Sequence, residues 1–251
     1  MPRLALALVL LLPAGARAAE NCPARPSADR VGAVTPEGEF RLASGSVARL
    51  QDVRLPEGEH RGTALAWLAG HVGRAVALSA PGYPDRWGRL RATITPADAA
   101  PDLAEGLVAA GLALVDAGEA DELCRPDLLR TEAEARRRRL GLWSTDRYKP
   151  VESTDLAALG AATGRFVLVE GRVRGVGERR SRTYLNFGPD WGTDLTITVP
   201  RRTWRIMQER GISAATLKAR RVRARGVLEE RRGPALEITV PDLLEVLDGA
   251  P

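Results

Sequence analysis

The chain has 251 residues, enough for two small domains, and its 37 Arg and Lys against 32 Asp and Glu give a formal net charge of +5. Two Cys and two His with no ligand spacing between them argue against a zinc centre. The charge is uneven. Over 151–251 there are 17 cations to 13 anions, and over 19–150 there are 18 to 19, so the positive field belongs to the C-terminal half and suits a polyanionic partner. Only Lys149 and Lys218 are lysines; a GC-rich genome produces the same usage, so arginine abundance alone carries no argument.

At the start, Arg3, an unbroken apolar run over 4–12 and Ala16-Arg17-Ala18 have the pattern of a signal peptide over 1–18. The run is too short to span a bilayer, and no other run reaches that length. The expectation is a soluble bacterial protein exported to the periplasm or the medium. In such an oxidising compartment the even pair Cys22 and Cys124 is expected to form a disulfide, with two buried thiols as the alternative.

A first domain is expected over 30–145. Short strands at 39–42 and 46–53 are split by Ser44-Gly45, a helix follows at 62–71 with Leu65 and Leu68 on its apolar stripe, and strands follow at 75–79 and 89–94. Helices at 103–110 and 127–139 close the domain. This order is compatible with a five-stranded OB barrel carrying a C-terminal helical tail. Ser, Thr, Asp, Pro and Glu then replace apolar periodicity, so 146–160 reads as a linker.

A second domain, over 161–249, repeats the scheme with strands at 166–173, 183–187 and 195–199, a helix at 201–210 ended by Gly211, and strands at 221–228 and 235–240 around Gly233-Pro234. The fold class is therefore mainly β with α (α+β): two OB-type five-stranded barrels. No sequence repeat links the halves.

Chemistry concentrates in Arg49-Leu50-Gln51-Asp52-Val53-Arg54-Leu55-Pro56-Glu57 and Asp85-Arg86-Trp87-Gly88-Arg89. Leu103-Ala104-Glu105-Gly106-Leu107-Val108 with Gly111-Leu112-Ala113, and Glu134-Ala135-Arg136 through Gly141-Leu142-Trp143, follow in order. These blocks resemble the staphylococcal nuclease (thermonuclease) family over about 31–144. The resemblance implies phosphodiester hydrolysis, with Glu57 as general base or water positioner and Arg49 and Arg89 as a phosphate clamp. Guanidinium groups suit that clamp because they bind phosphate through paired hydrogen bonds and place positive charge where it builds. It also implies calcium, held by two aspartates and a carbonyl.

The ligand set departs from the family pattern. Glu37-Gly38-Glu39-Phe40 stands where the family has Asp-Gly-Asp-Thr, leaving Glu39 as a metal-ligand position, and Arg54 replaces the second aspartate. A hard dication takes several oxygens at about 2.3–2.6 Å, and an arginine supplies none. Three roles for Arg54 compete: a salt bridge to Glu39 and Glu57, a metal-free phosphate site beside Arg49 and Arg89, or a solvent-facing turn of the strand.

In the second domain, strand alternation puts Tyr184 and Asn186 on one face and Leu185 and Phe187 on the core side. The outward pair, beside Arg172, Arg174, Arg180 or Arg182, would stack bases and hold a phosphate backbone. An ordinary half-buried strand tyrosine is the competing reading. The second block is also similar to C-terminal OB-like segments of some exported members of the family. Arg136 to Arg139 read as the solvated last turn of a helix, where cations suit the dipole, with a phosphate-binding patch as the alternative, and His60 and His71 read as surface or capping residues. Three functions follow: an exported binder of nucleic acid or another polyanion with a degenerate calcium site, an active phosphodiesterase using Glu57, Arg49 and Arg89, or an envelope interaction protein.

Overall fold

Phe40 and Leu42, Ala48 and Leu50, Val76 and Leu78, and Ala92 and Ile94 are buried and alternate with more exposed neighbours. That two-residue period turns one face of each strand to a core. The computed structural model describes residue 22 and residues 25–190 and 192–248; the proposed signal segment, 1–18, lies outside them. Its first half contains β1 (Ser27–Val34), β2 (Phe40–Leu42), β3 (Val47–Leu50), β4 (Val53–Arg54), α1 (Glu59–Ala69), β5 (Ala75–Ser79), β6 (Arg89–Pro96), α2 (Leu103–Ala109), β7 (Leu114–Val115) and α3 (Leu128–Arg137). Strands β1-β2-β3-β6-β5 close a barrel in which β3 and β6 run parallel and the other neighbours antiparallel. This is the five-stranded OB-type barrel expected, with α2 and α3 as its helical tail.

The sequence pattern misplaced two details. β1 was not foreseen because only Val31 of its eight side chains is buried, so it shows no alternation. The strand expected over 46–53 is two strands, split at Gln51-Asp52, where Asp52 takes φ 60°. An aspartate tolerates that left-handed conformation better than most residues. Its carboxylate then accepts the Arg125 N–H at 2.7 Å, tying the turn to the residue after Cys124. Cys124 is bonded to Cys22, as expected from the even pair.

Two glycine-containing segments of the tail meet face to face. Gly111 and Gly141 both have positive φ, and a Cβ on either would lie 2.3 or 2.2 Å from the other segment's carbonyl oxygen. Leu142 N–H donates to the Gly111 carbonyl at 2.9 Å. Only glycine permits this crossing, which seats Leu142 and Trp143 in the core.

The stretch read as a linker, 146–160, is structured. It holds a short 3-10 turn at Asp146–Tyr148, β8 (Val151–Glu152) and α4 (Leu156–Ala161), whose Asp155 carboxylate accepts the Ala158 N–H and whose Leu159 is fully buried. Beyond it come β9 (Phe166–Arg172), β10 (Gly175–Glu178), β11 (Arg182–Asn186), β12 (Thr196–Pro200), α5 (Arg201–Glu209), α6 (Ala214–Leu217), β13 (Arg221–Glu230), β14 (Pro234–Glu237) and β15 (Leu244–Val246).

One sheet runs β10-β11-β12-β14-β13-β9-β8, with β15 on β13. Only Val173 and Arg174 separate β9 from β10, and Arg174 N–H already donates to the Asn186 carbonyl on β11. β9 and β10 are thus two halves of one bent strand. Counted so, the order and the parallel β12–β14 pair repeat those of the first barrel, with β8 and β15 as additions.

The halves share a core. Leu114, Ala135, Leu142, Trp143 and Tyr148 pack with Phe166 and Leu168. Within this interface Arg225 of β13 is fully buried; its guanidinium meets Glu132 of α3 at 2.7 Å and Glu245 at 2.7 Å. Burial alone would push the Arg225 pKa down, but the charges of Glu132 and Glu245 outweigh it and hold it above its ordinary value.

Candidate functional site

The parallel pairing of β3 and β6 sets Val47 opposite Arg89 and Arg49 opposite Arg91, so Arg49 and Arg89 emerge on one face while Ala48, Leu50 and Ala92 point into the barrel. Arg89 is held tightly: Nη1 donates to Glu39 Oε1 at 2.7 Å and Nε to Asp85 Oδ2 at 2.9 Å. Burial pushes the Asp85 carboxyl up, but hydrogen bonds from the Arg89 side chain and from the backbone N–H groups of Arg89 and Trp87 bring it down to about 2. The exposed Trp87 ring lies 3.9 Å from the Arg86 guanidinium and 4.6 Å from that of Arg89. Arg49 makes a looser ion pair with Glu119, at 3.8 Å.

Glu57 and Arg54 line a different cleft from Glu39 and Arg89, at the seam between the halves. Glu57 Oε2 is 3.2 Å from Arg147 Nη2, and its backbone N–H and carbonyl both bond the Tyr148 hydroxyl at 3.0 Å. Arg54 Nε donates to Asp116 Oδ2 at 2.8 Å, and its guanidinium lies 4.9 Å from the centre of the Phe166 ring. Arg54, Glu57, Arg147, Arg165 and Phe166 line one small cleft. Neither Glu39 nor Glu57 is the partner of Arg54, and its head is not turned to solvent alone. Asp116 supplies the counter-charge, and an aromatic from the second half covers it. Among the described residues no hydrogen bond or ion pair joins Glu57 to Arg49 or Arg89.

These residues do not fit calcium, the metal that the resemblance implies. Glu39 spends an oxygen on Arg89, the other ligand position holds a cation, and Asp116 faces that cation. Among the described residues no group of three or more His, Cys, Asp and Glu is placed to hold a metal ion.

The second barrel gathers a different set. Leu185 and Phe187 are buried, as the alternation requires, and Tyr184 and Asn186 face outward. With Arg179, Arg182, Arg231 and Arg232 they line a groove of about 640 Å³. Arg182 Nη1 is paired with Glu237 Oε1 at 2.8 Å. Arg172 and Arg174 are not part of this groove. They line a separate hollow with Ser153 and Lys218, and Arg172 pairs with Asp248 at 2.9 Å. The bend between β9 and β10 carries them to another side of the barrel. Arg180 lies beside α5 with Arg201 and Arg205.

The arginine run also differs from expectation. Arg137, Arg138 and Arg139 are exposed, but Arg136 packs over Trp143 at 5.6 Å and approaches Glu132 at 3.6 Å. Sequence reasoning missed Asp116, Phe166 and Arg147, the partners that fix Arg54 and Glu57; no motif marks them. One available signal was the unbroken apolar run Phe166-Val167-Leu168-Val169. All four side chains are buried, which marks a strand covered on both faces and so foretells a second layer against it.

A search of curated proteins finds no match to the chain. The family model described as staphylococcal nuclease homologue matches residues 47–145, and that segment of the chain is a member of that family.

Proposed function

We propose that this is an exported protein that binds nucleic acid or a similar polyanion, through a nuclease-like domain over 30–145 and a basic domain over 161–249, with little or no phosphodiesterase activity. The observation that carries this reading is Arg54. At a position where the family places a metal-ligand carboxylate, a guanidinium is held by Asp116 and stacked on Phe166. A cation there repels calcium and gives it no oxygen. Glu57, the base by resemblance, bonds Arg147 instead of the two arginines that would clamp a phosphate. The Cys22–Cys124 disulfide suits an oxidising compartment, and no helix among the described residues is long and apolar enough to cross a membrane.

The test is incubation of the purified mature protein with single-stranded DNA in calcium and in chelator, beside Glu57→Ala and Arg54→Asp. The expected outcome is retention of the DNA without cleavage in either buffer. Cleavage by the wild type that disappears in Glu57→Ala would establish a working phosphodiesterase built on Glu57, Arg49 and Arg89.

A further inference from the structure

On the second barrel the floor of the groove is built from three strands in register. Tyr184 of β11 pairs with Gly177 on one side and Thr198 on the other, and Asn186 pairs with Gly175 and Thr196. The cross-strand partners of Tyr184 on this face are therefore a glycine and a threonine, and its larger neighbour along β11 is Arg182, which is drawn to Glu237.

Gly175 directly follows the bend between β9 and β10, where a tight turn of the strand itself favours glycine, but Gly177 stands beyond that bend. Neither has a positive φ. A Cβ on Gly175 would meet nothing within 4 Å, and one on Gly177 would meet only the Arg179 guanidinium tip, at 3.8 Å. Glycine inside a strand weakens it by forgoing packing and adding unfolded-state entropy. At Gly177, where neither crowding, positive φ nor the bend demands glycine, a surface kept clear for close approach of a ligand is the remaining physical account.

The walls carry the opposite chemistry. Arg179 stands on the loop between β10 and β11, and Arg231 and Arg232 on the turn between β13 and β14. Cations on two rims of an open floor, with one aromatic and an amide at its centre, match a strand whose phosphates lie along the edges and whose bases turn inward. Stacking needs an exposed base face, which a single strand offers and a duplex hides. A sulfated polysaccharide would use the rims but has no planar face for Tyr184.

We infer that this groove is a binding site for single-stranded nucleic acid, with Tyr184 as its stacking platform, Asn186 as a base-edge contact, and Arg179, Arg231 and Arg232 as phosphate contacts. This rests on the polyanion-binding reading and narrows it to one face and one ligand class.

The test uses the full mature protein with fluorescein-labelled oligo(dT) of 15 nucleotides, a duplex of equal length, and heparin, followed by anisotropy at two salt concentrations. The single strand should bind at least tenfold more tightly than the duplex. Tyr184→Ala should weaken oligo(dT) binding about five- to 150-fold, the range that loss of one base–aromatic stack gives, and leave heparin binding within twofold. Tyr184→Phe should restore most of it. Arg231→Ala with Arg232→Ala should weaken both ligands and flatten the salt dependence. Circular dichroism confirms that each variant is folded; Tyr184 is partly buried but stands outside the apolar core, so its truncation leaves the core intact.

Binding of oligo(dT) that all these variants share with wild type overturns the groove and leaves the broader reading standing. Heparin lost with the arginines while oligo(dT) is indifferent to Tyr184 assigns the groove to a polysaccharide. No binding to any of the three ligands overturns both readings.

Discussion

Charged residues in this protein are fixed by their partners more than by their motif, and Asp52 shows the consequence for stability. It lies within the family's first block, yet its side chain is buried in the turn between β3 and β4. Burial pushes its carboxyl up to about 6, against the Arg125 and Cys124 backbone N–H groups and the Arg91 and Arg125 charges that pull it down. In the unfolded chain an aspartate titrates near about 3.9. The folded protein therefore holds this proton more tightly than the unfolded one. The stabilisation is complete below about pH 4 and is lost as pH rises through about 6, a decline of roughly 2–3 kcal/mol for a shift of about two units. Asp85, whose folded value falls to about 2, acts in the opposite sense at lower pH, so the difference between wild type and variant is the quantity to follow. Urea unfolding of Asp52→Asn at pH 4, 5, 6 and 7 should show the variant gaining on wild type as pH rises. A difference that stays constant across that range would mean that Asp52 ionises normally.

The same principle explains what the motif concealed. Arg49, Glu57 and Arg89 are legible in the sequence because they stand in short ordered blocks. Their geometry is not, because Glu119, Arg147 and Glu39, which hold them, come from segments up to about 90 residues away. A local pattern carries no information about such partners.

Elements followed the apolar period wherever one face was buried and the other was not. β5, β6, α2, α5 and β11 fall within two residues of their expected bounds, since each carries that contrast. β1, β10 and β15 lie at sheet edges or over polar surface with short or weak alternation, and were invisible. β10 is the instructive case. Its Gly-Val-Gly-Glu sequence has low strand propensity, and its place is set by pairing with β11. Gly177→Val should then stabilise the protein by a few tenths to about 1 kcal/mol, because a β-branched side chain fits an extended backbone with open space above it. The same change should weaken oligo(dT) binding, because the new methyl groups stand beside the Tyr184 ring. Thermal melts and anisotropy on one preparation measure both. A variant that gains stability and keeps wild-type binding would show that the cleared floor has no ligand to admit.

At the scale of the whole molecule the question is whether two barrels make two folding units. The seam argues for one. Phe166 and Leu168 of the second barrel complete an apolar cluster with Leu114, Ala135, Leu142, Trp143 and Tyr148 of the first. The fully buried Arg225–Glu132 pair crosses the same boundary. Glu132 also accepts the Val115 N–H at 2.8 Å, and so anchors β7 to α3 from within the interface. Separating the halves would expose this cluster and break the Arg225–Glu132 pair, leaving Arg225 with Glu245 alone and Glu132 with Arg136 at 3.6 Å. Unfolding followed by calorimetry should accordingly give a single transition. Arg225→Met should lower stability by about 3–5 kcal/mol, because it takes from the fully buried Glu132 its nearest counter-charge and leaves only Arg136, at 3.6 Å. Adding Glu132→Gln, which removes that charge and keeps an acceptor for Val115, should recover much of the loss. Two separate transitions in the wild type, or an Arg225→Met variant as stable as wild type, would mean that the barrels fold independently. The contact of Phe166 with Arg54 would then be an incidental touch. A single transition with the expected rescue makes the second barrel part of the frame that fixes Arg54, through the Phe166 ring that covers its guanidinium.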